Sequence, residues 1–243
     1  MPSGVRAIKR FVRNLIIKTP VPAKVTKQLL ACFTYPEFVD KIRLTTKVPH
    51  EYGDRDVFWK SVVAQIGPTT PVLFLEFGVY RGESMRWFSK NFTNLNSFFI
   101  GFDTFTGLPE DWKERNLPSG TFSTNGQPPV IEDSRVRFEK GLFSDTLPQT
   151  IDSIRQASIG RTTLVHLDAD LFSSTLFVLT YLWQWMDQYY VLFDEFFGEE
   201  SSALSAFTHS YPCNVEFFAS DVSSDRVSVP ISSRLFGSIQ KAS

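Results

Sequence analysis

Two short apolar runs in this chain each stop at a pair of carboxylates. Thr162 to Leu167 leads into Asp168-Ala169-Asp170, and Tyr189 to Phe193 leads into Asp194-Glu195. Clustered carboxylates can hold a hard divalent cation through oxygen, or accept the proton of a substrate hydroxyl. Neighbouring strands lie about 4.8 Å apart. If both runs are adjacent parallel strands, Asp168 and Asp194 can therefore share one cation. Upstream, Val72 to Phe77 carries Glu76 and leads into a glycine turn, Gly78 to Gly82, before Glu83-Ser84 opens a helix. Glycines let a ligand approach the backbone, and a helix N-terminus favours an anionic group. The full GxGxxG pattern is absent. Asp103 closes the next apolar run, about 20 residues past Gly82, where an acid commonly takes the ribose hydroxyls of a nucleoside cofactor.

These residues need a scaffold that brings strand ends together. Apolar runs at 72–77, 97–102, 162–167 and 189–193, and the segment 135–139, read as strands. Between them, helical patterns cover 83–91, 145–157 and about 176–188, and another follows at 201–207. Strands alternating with helices predict a parallel, doubly wound α/β sheet, with ligands beyond the carboxyl ends of the strands. Runs at 215–219 and 226–229 read as a final antiparallel pair, making seven strands. Residues 104–130 are rich in Gly, Pro, Ser and Thr and read as a long functional loop with one helical turn near Trp112. A helix over 54–66 precedes the sheet. The expected division is a helical segment over 1–66 packed on a domain over 67–243.

Bulk properties narrow the function. The chain has 243 residues and a formal net charge of −1, so no long-range field favours nucleic acid. Its two cysteines, Cys32 and Cys213, form no CxxC motif, which points to a reduced, cytoplasmic protein. Residues 5–18 form a basic amphipathic pattern without the unbroken apolar core of a signal peptide or a membrane span. This segment is expected to pack on the domain or on a second subunit rather than on a membrane surface. A homodimer through residues 1–60 is the matching expectation. No Ser/His/Asp or HExxH arrangement occurs. His166 lies inside a strand and reads as a core residue or a support to the site, not a base. His50 and His209 lie in loop-like contexts. Phe172, Phe196, Phe197 and Trp112 flank the acids, where they would pack in the core or wall a substrate pocket.

Five blocks carry a resemblance. They are Glu76 to Ser84, Gly101 to Glu110, Lys140 to Pro148, Leu167 to Thr175, and Phe193 to Phe196. Together they resemble the macrocin O-methyltransferase (TylF/MycF-like) family, class I S-adenosylmethionine-dependent enzymes that methylate sugar hydroxyls of antibiotics. The most specific blocks are Asp103-Thr104-Phe105-Thr106-Gly107-Leu108-Pro109-Glu110 and Asp168-Ala169-Asp170-Leu171-Phe172-Ser173-Ser174-Thr175. The resemblance implies that Glu76, Gly78, Gly82 and Ser84 surround the methionine part of the cofactor and that Asp103 binds its ribose. It implies that the Gly141-Leu142-Phe143 turn lies near the adenine. Asp168, Asp194 and Glu195 would hold Mg²⁺, with Asp168 and Asp170 as the catalytic acids and Asp170 as candidate base. The family usually has two aspartates where this chain has Asp194-Glu195.

The expected activity is methyl transfer from S-adenosylmethionine to a hydroxyl of a sugar or other small molecule, assisted by a divalent metal. A sugar hydroxyl is a poor acid, so a cation that lowers its pKa and a nearby carboxylate both help. Two rivals remain at this point. An NAD(P)-binding oxidoreductase fits the glycine turn and Asp103 but leaves the acid cluster unused. A degenerate fold would bind the cofactor and serve as an interaction module.

Overall fold

The computed structural model of the protein describes residues 34, 36–38, 55–113, 115–222 and 232–242. The amphipathic pattern at 5–18, most of the 1–60 surface, Cys32, His50 and the expected strand at 226–229 lie outside the described residues. Helix α1 (Arg55–Ile66) precedes strand β1 (Val72–Phe77). Then come α2 (Glu83–Asn91), β2 (Phe98–Asp103), β3 (Val136–Lys140), α3 (Phe143–Ser158) and β4 (Thr162–Leu167). The chain continues through α4 (Phe172–Trp185), β5 (Gln188–Phe193), a π-helical turn (Phe196–Glu200), α5 (Ser201–Ser210), β6 (Cys213–Val222) and β7 (Ser232–Lys241).

The seven strands form one sheet in the order β3-β2-β1-β4-β5-β7-β6. The first five are mutually parallel, and β7 runs antiparallel to both β5 and β6. Strand order reverses between β1 and β4, so the loops after these strands diverge and leave a crevice at their carboxyl ends. The doubly wound, mostly parallel seven-stranded sheet is therefore present.

Both faces are covered. Leu73, Leu75 and Phe77 of β1 pack with Leu147 and Ile154 of α3, Val178 and Leu182 of α4, and Leu204 and Phe207 of α5. Val72 and Phe74 point the other way, onto Phe58, Trp59 and Val62 of α1 and Met85 and Phe88 of α2. Helix α1 thus belongs to the sheet's own core. A strand buried on both faces reads as a continuous apolar run, and every residue of β1 is buried, Glu76 among them.

Several expectations shift. The last described strand is Ser232–Lys241, which pairs antiparallel with β6 and enters the sheet between β5 and β6. Its apolar residues do not alternate cleanly, because Leu235 and Phe236 serve opposite faces of the sheet. Gly237 sits where a Cβ would lie 2.3 Å from the Glu216 carbonyl oxygen, beside a register shift in β6. Helix α4 starts at Phe172, four residues earlier than the pattern suggests. No helical turn forms near Trp112. An isolated antiparallel bridge to Leu117 takes its place, with backbone bonds of 2.8 and 3.1 Å.

Arg135 ties the start of β3 to the end of α2. Its guanidinium donates to the carbonyls of Phe92, Asn94 and Ser89 at 2.8, 3.0 and 2.5 Å, and pairs with Asp133 at 2.6 Å. Arg135→Ala would leave carbonyls and a carboxylate half-buried without their donor. A loss of about 3 kcal/mol in urea unfolding is expected; a change under 0.5 kcal/mol would show that water replaces the guanidinium. The Arg135 hydrogen bond holds the Asp133 carboxyl below its ordinary 3.8. The pair's contribution is therefore complete above pH 3.8 and is lost as pH falls through the lower folded-state value.

No helix among the described residues is long and apolar enough to cross a membrane.

Candidate active site

A cleft of about 1040 Å³, counting its open mouth, lies at the carboxyl ends of β1, β2, β4 and β5. Of the residues expected to form the site, Gly78, Asp103, Phe143, Asp168, Asp170, Asp194 and Glu195 line it. Glu76, Gly82, Ser84 and Gly141 do not. Glu76 lies fully buried beneath the cleft, where its Oε1 accepts the Ser84 hydroxyl and meets His166 Nδ1 at 2.9 Å. Gly82 caps α2 in the left-handed region, at φ 71°.

The β1 turn approaches the β4 loop closely. A Cβ on Gly78 would lie 1.9 Å from the Asp168 carbonyl oxygen, and Gly78 holds φ at 95°. Asp103 braces the same turn. Its Oδ2 accepts from the Val79 and Tyr80 amides at 2.8 Å each, and its Oδ1 accepts from Phe105 N at 2.7 Å. A carboxylate has about four acceptor sites, so one remains for a ligand. The wall beside it is apolar and aromatic. Tyr80 meets Phe122 edge-on with centroids 5.6 Å apart, and Leu108, Trp112, Leu142 and Phe143 complete the lining. Trp112 is 5% exposed and its indole N–H has no partner among the described residues.

The acids divide by their partners. Asp194 is buried and ion-paired, with Arg234 Nε at 3.3 Å and Arg55 at 3.6 Å. Glu195 turns outward to Arg115 on the 104–130 loop, at 2.6 Å. The Asp168 side chain accepts no hydrogen bond among the described residues. Burial pushes its carboxyl well above the ordinary value, and Asp194, Asp170, Glu76 and Glu200 push it further. Burial likewise raises Asp170 to about 7, aided by Glu195 and Asp194 and opposed by Arg115. Asp170 also holds φ at 63°, in a tight turn closed by Leu171 N and the Ala169 carbonyl at 2.6 Å. A non-glycine residue held there costs about 1–3 kcal/mol, and such strain gathers at functional sites. Glu200, 1% exposed, receives the Glu195 amide at 3.2 Å, while its Oε1 has no partner among the described residues.

Ligand atoms of His166, Asp168 and Asp194 all lie within 4.8 Å of one another. With Asp168 lacking a counter-charge, this donor set fits a divalent cation. The cleft beside it, with an acid at the second strand and an aromatic wall, fits a nucleoside cofactor.

The sequence matches the macrocin-O-methyltransferase (TylF) family over residues 60–215. The chain belongs to this family. As a macrocin O-methyltransferase family member, it is an S-adenosylmethionine-dependent O-methyltransferase, which decides against the oxidoreductase. No curated protein matches the chain. Among solved structures, it is similar to the O-methyltransferase NovP at 21% identity, over 77% of each chain, with a TM-score of 0.45. It is similar to an O-methyltransferase from Bacillus cereus in complex with SAH at 12% identity, over 97% of each chain, TM-score 0.46. It is also similar to TomG from Streptomyces achromogenes, in complex with SAM, at 12% identity over 100% of each chain, TM-score 0.47.

Residues outside the expected set also line this family member's cleft, among them Arg55, Tyr80, Phe122 and Ser174. Arg55 and Phe122 come from segments without a decodable motif. Tyr80 could have been found, because it sits inside the glycine turn itself.

Proposed function

We propose that the enzyme methylates a hydroxyl of a sugar or other small molecule with the help of a divalent cation. Asp168 carries the reading, as a carboxylate with no side-chain partner among the described residues at the floor of a cleft lined by Gly78, Asp103 and Asp170. Bound S-adenosylmethionine supplies a methyl group on an already electrophilic sulfonium. The chain's task is alignment and deprotonation, and alignment alone can contribute about 7–11 kcal/mol.

In this reading Asp103 offers its remaining acceptor site to the ribose, while Tyr80, Phe122, Leu142 and Phe143 enclose the apolar parts of the cofactor. Gly78 keeps the turn close to the β4 loop. Glu76, Gly82, Ser84 and Gly141 support the cofactor side from behind, by holding the turns that touch it. Asp168 and Asp194 hold the cation, Mg²⁺ in the first instance, which would lower the pKa of the acceptor hydroxyl. Glu195, committed to Arg115, contributes through the loop it anchors and only secondarily as a ligand. Asp170 takes the hydroxyl proton. Trp112 offers a face to a sugar ring and its N–H, which has no partner among the described residues, to a substrate oxygen. The domain is read over 67–243 with α1 of the preceding segment packed on its sheet, and a dimer contact through residues 1–60 is read with it. The enzyme works in the cytoplasm, where Cys213 stays reduced.

Calorimetry and a panel of hydroxyl acceptors test this together. S-adenosylhomocysteine is expected to bind and NAD not to. Turnover on a sugar or small-molecule hydroxyl is expected to fall about a thousandfold or more in EDTA and to return with added Mg²⁺ or Mn²⁺. Undiminished turnover in EDTA would remove the cation from the mechanism while leaving the methyl transfer in place.

A further inference from the structure

Strands β1, β4 and β5 lie side by side, and their register decides which side chains share a face. Glu76 pairs with His166, and His166 pairs with Leu192. Side chains return to the same face every second residue. Asp168 and Asp194, each two residues further on, therefore continue the row that Glu76 and His166 begin. This row lies on the face covered by α1 and α2, where Leu164 and Leu192 pack.

His166 is fully buried among aromatic rings, with Trp59 edge-on at 6.5 Å and Phe74 at 6.0 Å. Its Nδ1 lies 2.9 Å from Glu76 Oε1. Glu76 is fully buried too, and an N–H at Nδ1 satisfies that carboxylate along with the Ser84 hydroxyl. A neutral imidazole then has a bare lone pair at Nε2. That atom is buried and has no hydrogen-bond partner among the described residues. It faces Asp194 Oδ1 at 4.0 Å. Two acceptors at this distance are too far apart for a hydrogen bond and would repel across an empty gap. The distance suits a shared ion, since metal–nitrogen and metal–oxygen bonds are each about 2.0–2.2 Å. Asp168 brings a carboxylate oxygen within 4.8 Å of both.

We propose that His166 Nε2 is a metal ligand, completing with Asp168 and Asp194 a site of one nitrogen and two carboxylates. The proposal rests on the cation-assisted reading above and changes which cation is preferred. Mg²⁺ demands hard oxygen donors, whereas imidazole suits transition ions. Mn²⁺, Fe²⁺ or Zn²⁺ is therefore favoured over Mg²⁺. Glu76 is the carboxylate that fixes the imidazole tautomer, the usual partner of a metal-bound histidine. Arg234 and Arg55 face Asp194 at 3.3 and 3.6 Å, and Arg234 also donates to Asp221 at 2.6 Å. Their positive charge offsets part of the carboxylate charge. The site then relies more on the bond to nitrogen than on charge alone.

The test uses the full chain, stripped with chelator and reloaded with Mn²⁺. Pulsed electron paramagnetic resonance is expected to show nitrogen modulation from a coordinated imidazole. Calorimetry is expected to give Mn²⁺ binding at least about tenfold tighter than Mg²⁺ binding. His166→Asn should weaken Mn²⁺ by about 10–100-fold while changing Mg²⁺ less than about threefold. Glu76→Gln should weaken Mn²⁺ about tenfold, through the lost tautomer control. Should His166→Asn fail to fold, the spectrum of the unaltered protein decides alone. Mn²⁺ bound without nitrogen modulation overturns the histidine ligand and leaves the cation reading intact. Absence of any metal binding overturns both.

Discussion

Asp168→Asn is expected to reduce methyl transfer by about a thousandfold or more. The change is nearly isosteric and removes one charge. It takes away a cleft carboxylate whose side chain accepts no hydrogen bond or ion pair among the described residues, and with it a principal cation ligand. Metal polarisation is worth several kcal/mol, and each 1.36 kcal/mol is a factor of ten in rate. Asp103, the Gly78 turn and the aromatic wall are untouched, so S-adenosylhomocysteine affinity should stay within about threefold. Stability should not fall, because a neutral amide relieves the repulsion that Asp194, Asp170, Glu76 and Glu200 now exert on this position. The checks are initial rates at saturating cofactor, calorimetry, and a melting curve in EDTA. A variant with wild-type turnover would sink the metal role of Asp168. A variant with lost turnover and an equally large loss of cofactor binding would move Asp168 to the cofactor side.

Gly78→Ala should damage the cleft more broadly, through backbone rather than charge. Its Cβ would sit 1.9 Å from the Asp168 carbonyl oxygen and 2.6 Å from the Asp168 carbonyl carbon. Both are main-chain atoms that no rotamer change can move. The residue also holds φ at 95°, which an L side chain resists. Relief requires parting β1 from β4, although Asp168 N donates to Phe77 O at 2.9 Å and Gly78 N donates to Phe102 O at 3.0 Å. A destabilisation above about 3 kcal/mol is expected from strain plus lost ladder bonds, measured by urea unfolding. S-adenosylhomocysteine affinity should drop by about a hundredfold or more, since the turn braced by Asp103 moves with it. Unchanged affinity in a folded Gly78→Ala protein would place the cofactor away from this turn.

Much of the fold was legible because its strands are buried on both faces. Such strands appear as unbroken apolar runs, and β1, β2, β4 and β5 could be located within a residue. β7 was not legible in this way. Arg234 and Gly237 interrupt its apolar residues, and a plain two-residue alternation is absent because β7 lies inside the sheet. The loop at 104–130 was recognisable as a loop, but the Trp112–Leu117 bridge depends on two backbone groups meeting, which no side-chain pattern encodes.

The site divides the same way. By itself the sequence determined which acids stand at strand ends: Asp103, Asp168, Asp170, Asp194 and Glu195. It also determined the glycine turn that approaches them, and the blocks that mark the macrocin O-methyltransferase family. Chemistry of that kind depends on residue type and on local spacing. Only the tertiary structure decided how the acids differ. Register put Glu76, His166, Asp168 and Asp194 on one face. Strand insertion brought Arg234 from β7 onto Asp194, and a loop crossing the cleft gave Glu195 to Arg115. Among the described residues the Asp168 side chain was left without a partner. A carboxylate's role follows from which charges and donors reach it in space, and those arrive from segments that sequence order keeps apart.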